Sequence, residues 1–100
     1  MKYVVLSADS DRKVYAVPDV VADNLSAYCM EFCTKWLVSN PSAKKYRVRG
    51  GLCFTETDFV EYLNTHLFPD QQSHLIENLG WIDFGKPLPE PYCDYPAFNF

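Results

Sequence analysis

Two thiols four residues apart, Cys29 and Cys33 in the stretch Tyr28-Cys29-Met30-Glu31-Phe32-Cys33, are the first side chains in the chain with chemistry to offer. Residues spaced this way share one side of a helix, so the pair could grip a metal, react, or simply pack. A structural zinc site takes four ligands, and Cys53 and Cys93 would complete the set with Cys29 and Cys33. The spacing suits zinc poorly, because such sites draw pairs from tight C-x2-C turns. Cysteine is also among the residues most often buried as small hydrophobes. Core packing is the expectation for this pair, with no cofactor.

A nucleophilic cysteine needs a lowered pKa, from a neighbouring base or a helix N-terminus. Cys53 is the best placed, following Gly50-Gly51 and standing just before a predicted helix, with His66 and His74 as bases elsewhere in the chain. A Cys53–His66 enzyme is therefore one alternative function. The plainer expectation makes His66 a partly buried histidine held by a hydrogen bond, and His74 a surface residue. Glu56, Asp58 and Glu61 point in scattered directions on a helical wheel, so helix capping and solvation explain them without acid–base chemistry. The stretch Lys44-Lys45-Tyr46-Arg47-Val48-Arg49 holds four of the nine basic residues, and no acid occurs between Glu31 and Glu56. Lys44, Lys45, Arg47 and Arg49 could meet an anion or a nucleic acid, with Tyr46 stacking on a base. A solvated loop is the simpler expectation.

These candidates sit in a chain of 100 residues, the size of a single domain. Its 48% apolar and 22% charged residues are those of an ordinary folded protein. A net charge of −4 argues against general nucleic-acid binding, which needs positive potential. The opening Met1–Asp11 has too short an apolar run for a signal peptide, and no stretch approaches the ~20 apolar residues of a membrane span. A cytoplasmic setting with reduced thiols and no membrane partner is expected.

Strand formers at Tyr3–Leu6 and Lys13–Val17 flank the turn-rich Ala8-Asp9-Ser10-Asp11-Arg12, which predicts a β-hairpin. Pro18 can open a helix, with Asp19 suited to its first turn. From Val20 to about Val38 the period is helical. Val21, Leu25, Tyr28, Cys29, Phe32 and Trp36 fall in an arc about 100° wide. Asn40-Pro41 ends this helix. A second helix, capped at Thr55-Glu56-Thr57-Asp58, runs to about Phe68 with Phe59, Leu63 and Leu67 as its buried stripe. Residues 70–78 read either as a short helix closed by Gly80 or as a loop before a strand, and Trp81-Ile82-Asp83-Phe84 reads as a strand.

From Lys86 the chain is proline-spaced, and it ends in an aromatic cluster. A tail this apolar is expected to lie extended across the body. The fold class that results is α+β: a small, mostly antiparallel sheet built on the N-terminal hairpin, with two amphipathic helices on one side. Sixteen aromatics in 100 residues are more than the core of so short a chain is expected to use. No triad, glycine-rich nucleotide loop or in-phase acid pair appears. The leading expectation is thus a non-catalytic module that binds another protein or itself, with Tyr92, Tyr95, Phe98 and Phe100 as anchors.

Overall fold

A computed structural model of the chain describes residues 1–8, 10–49, 51–83 and 85–100. The turn residue Asp9, the first of the paired glycines, Gly50, and the expected strand end Phe84 lie outside the described residues. Strands β1 (Lys2–Ala8) and β2 (Asp11–Val17) form the antiparallel hairpin, in register from Lys2 opposite Val17 to Ala8 opposite Asp11. A helical segment follows as α1 (Asp19–Asp23), α2 (Leu25–Glu31), a π turn (Phe32–Trp36) and α3 (Leu37–Ser39). A 3-10 turn (Pro41–Tyr46) leads to the short pair β3 (Arg47–Val48) and β4 (Gly51–Leu52). Then come α4 (Glu56–Tyr62), a second π turn (Leu63–Leu67), β5 (His74–Trp81) and β6 (Ala97–Asn99). The main sheet has the order β5-β2-β1-β6, antiparallel except where β6 runs parallel to β1. The class is α+β, with a mostly antiparallel sheet.

Val4 and Leu6 of β1 and Tyr15 and Val17 of β2 turn to the helices, where they meet Val21, Leu25, Cys29, Phe32, Phe59 and Leu63 in one buried cluster. The opposite face is not bare. Val5, Val14 and Ala16 are buried there, and the tail returns across that side. The Tyr92 hydroxyl donates to the carboxylate of Glu77, the cross-strand partner of Val14. The Tyr95 ring meets that of Tyr3, 6.0 Å away. Burial on both faces explains why Val4-Val5-Leu6 reads as a continuous apolar run rather than alternating.

Both helical segments depart from the expected stripe in the same way. The Leu37 N–H donates to the Phe32 carbonyl, and the Phe68 N–H donates to the Leu63 carbonyl at 2.7 Å. Each bond spans five residues instead of four and so advances the inward face by one position. Leu37 is buried although it lies off the predicted arc, while the expected Leu67 is exposed and Phe68 packs on the core instead. A threonine accompanies each wide turn. Thr34 Oγ1 donates to the Met30 carbonyl at 2.6 Å and Thr65 Oγ1 to the Glu61 carbonyl at 2.8 Å, competing with the regular ladder. A break at Asn24, whose side chain donates to the Val20 carbonyl, also divides the first helix, which sequence periodicity reads as continuous.

The ambiguous region resolves as a strand rather than a helix. Asn64 clamps the connection by donating to the Ser73 carbonyl at 3.0 Å and accepting from the Ser73 N–H at 2.6 Å. This sets the chain into β5, which ends at Trp81, so the expected strand over 81–84 belongs several residues earlier. Gly80 stands within β5 at φ 73°, the left-handed region glycine tolerates, beside one of two irregularities in the β2–β5 register.

Candidate interaction surface

Among the described elements β5 pairs with β2 alone, so its outer edge carries no described strand. Its cross-strand partners fix which way its side chains face. Leu75 stands opposite Tyr15 and Trp81 opposite Asp11, on the face that β2 turns toward the helices. The helices do not reach this far. Leu75 is 50% exposed, the neighbouring Ile76 38% and Trp81 66%. Other exposed apolar side chains, such as Met30, Val38 and Val48, sit on separate elements, and single exposures of that kind are ordinary. Three on one open strand are not. Natural edge strands usually carry lysine, proline or inward charges against pairing, whereas β5 reads His74-Leu75-Ile76-Glu77-Asn78-Leu79-Gly80-Trp81. Its one acid, Glu77, is engaged by Tyr92 on the opposite face.

The sequence candidates are placed elsewhere. Cys29 is buried and Cys33 half-buried on the first helical segment, while Cys53 and Cys93 are exposed on separate segments. Among the described residues no group of three or more His, Cys, Asp or Glu side chains is placed to hold a metal ion. Burial pushes the thiols of both Cys29 and Cys33 up, and the nearby Cys33 adds to the effect on Cys29. Iodoacetamide at pH 8 is therefore expected to modify Cys53 and Cys93 first, Cys33 more slowly and Cys29 only as the protein unfolds. Peptide mass spectrometry across a time course checks this order, and early labelling of Cys29 would contradict it.

His66 is exposed rather than partly buried, its ring resting 5.1 Å from that of Trp36 and 6.2 Å from that of Tyr62. Among the described residues no hydrogen bond joins Cys53 to either histidine; the Cys53 backbone N–H donates to the Tyr46 carbonyl at 2.9 Å. In the basic segment, Arg47 Nη1 donates to the Leu37 and Asn40 carbonyls, both at 3.0 Å, closing the end of the first helical segment. Lys45 lies 5.0 Å from the Tyr46 ring centre, and Lys44 and Arg49 face solvent. The tail aromatics are all half-buried. Phe100 contacts the rings of Phe32, Phe54, Phe59 and Phe98, and Phe98 packs on the same core.

Sequence reasoning missed two groupings. One is Leu75, Ile76 and Trp81, whose apolar side chains imply burial to any pattern-based reading. The other is Lys13 with Glu56, an ion pair at 2.6 Å in which the glutamate is buried. The capping turn suits Glu56 to solvent, but there it is Asp58 that caps, accepting from the Thr55 N–H at 2.8 Å. Among the described residues no helix is long and apolar enough to cross a membrane. No protein-family model, curated protein or solved structure matches this chain.

Proposed function

We propose that this protein is a non-catalytic binding module whose working surface is β5, and that what it binds is a protein chain, another protein or a further copy of itself. The observation that carries this reading is the open outer edge of β5 with Leu75, Ile76 and Trp81 exposed along it. A strand edge of this kind offers unpaired backbone donors and acceptors for an added strand, and its side chains supply the apolar contact that makes such pairing stable. The tail aromatics, proposed as anchors from sequence, are already engaged with the chain's own rings. The contact surface therefore moves to the opposite side of the sheet from β6. The setting proposed is the cytoplasm, where the exposed Cys53 and Cys93 remain thiols.

A photo-crosslinking residue placed at Ile76 tests this in cells, with the same residue at Lys35 on an exposed helical surface as control. Protein adducts are expected at 76 in clear excess over 35, and mass spectrometry names the partner. Equal or no adducts at the two positions would end the proposal.

A further inference from the structure

The pattern of side chains along β5 says more about what the edge receives. We infer that β5 pairs with β5 of a second copy, antiparallel about a two-fold axis passing at Asn78; this rests on the reading of β5 as the binding surface. Two copies meeting across a two-fold must present the same strand to each other, with residue i opposite residue j and j opposite i. Leu75 and Trp81 are equally distant from Asn78 in sequence. An axis at Asn78 therefore sets each Leu75 against the other copy's Trp81. Residues paired across an antiparallel ladder share a face. Leu75, Asn78 and Trp81 meet this requirement, because their partners Tyr15, Lys13 and Asp11 alternate on one side of β2.

The register also handles charge without conflict. Glu77 falls opposite Leu79 of the other copy rather than opposite its own counterpart, and it points to the face where Tyr92 holds it. No lysine or arginine lies on the strand. On the helix-facing side, two uncovered stretches of β5 become neighbours and form one apolar floor, with two indole–leucine pairs flanking the central asparagines. Directly opposed side chains in an antiparallel ladder are close enough to pack, and an indole set against a leucine takes apolar area of both out of water. A foreign strand could use the edge, but only a second copy supplies this matching by symmetry.

The test uses the full chain. Sedimentation equilibrium is expected to give twice the chain mass for the wild type and the single-chain mass for Trp81→Lys. Circular dichroism should show both folded, since Trp81 is 66% exposed and its indole N–H donates to the nearby Asp83 carboxylate. The register is read separately by Asn78→Cys in a Cys53→Ser/Cys93→Ser background. Mild oxidation is expected to yield a disulfide-linked dimer. His74→Cys in the same background should not, because two residues at 74 would stand about 27 Å apart at about 3.4 Å per residue. A wild type that stays monomeric into the hundred-micromolar range overturns the inference, as does a dimer indifferent to Trp81→Lys or one that links equally through position 74. A monomer that still gives foreign adducts at position 76 sinks the self-pairing alone and leaves the binding-module reading standing. Absence of any adduct together with a monomer removes both.

Discussion

Phe32→Ala is expected to lower the unfolding free energy by about 3–5 kcal/mol, the range for removing a large buried aromatic. Phe32 is fully buried, and its ring centre lies 5.6 Å from Trp36, 5.7 Å from Phe54, 5.5 Å from Phe59, 5.1 Å from Tyr62 and 6.2 Å from Phe100. One side chain thus touches its own helical segment, the connector, α4 and Phe100 beyond β6. Removing it withdraws a partner from all of these at once, and the surrounding rings fill the space only in part. A domain of this size has roughly 5–15 kcal/mol in total, so the loss takes up much of its stability. Urea unfolding followed by near-ultraviolet circular dichroism measures it. Phe32→Leu, which keeps most of the volume, should cost much less. Equal losses for the two variants would mean that ring packing is not what holds these segments together.

The second large effect comes from charge. Lys13→Met leaves the Glu56 carboxylate buried without its partner, and breaking such a pair from one side costs about 3 kcal/mol or somewhat more. The double variant Lys13→Met/Glu56→Leu removes the stranded charge and should regain most of that loss, because replacing both members with apolar groups is often near neutral. Stability of the single and double variants by denaturant titration decides this, and a double variant no better than Lys13→Met would refute it. The pair also predicts a pH dependence. The Glu56 carboxylate accepting from Lys13 holds the ammonium above its ordinary 10.5, despite partial desolvation. With the folded value raised, the contribution is complete below the unfolded lysine pKa and is lost as pH rises through the folded one. Burial also pushes the Tyr15 phenol up, so it adds to the loss on the same alkaline side. Lys13→Met should flatten this slope while leaving the part due to Tyr15.

What the sequence made legible follows from how local each signal is. Val21, Leu25, Cys29 and Phe32 form a run of regular period, and all four are buried as the arc predicts. Beyond Phe32 the arc still brings Trp36 half-buried onto the core, but one five-residue hydrogen bond replaces the four-residue repeat and adds Leu37 as a fully buried residue. The same slip exchanges Leu67 for Phe68 in the second segment. Composition does not announce such a turn, although Thr34 and Thr65 supply a hydroxyl at each. β5 was hard to read because its two register irregularities break the alternation of a strand. Glu56 looked like a solvated capping acid because its partner lies 43 residues earlier in the chain. The candidate surface was hidden for a related reason: Leu75, Ile76 and Trp81 have the residue types of a core, and only the limited reach of the helices leaves them uncovered.

The parallel strand beside β1 has a consequence for the order of events during synthesis. Ser7 meets Asn99 across 92 positions, by a side-chain hydrogen bond at 2.8 Å within that pairing. The hairpin is therefore polymerised well before the segment that pairs with its far edge. During that interval the outer edge of β1 lacks its pairing at Val5–Ser7, and the ring of Phe100 is missing from the aromatic cluster. Contacts so distant along the chain are slow to close, so the edge of β1 at Val5–Ser7 is covered late.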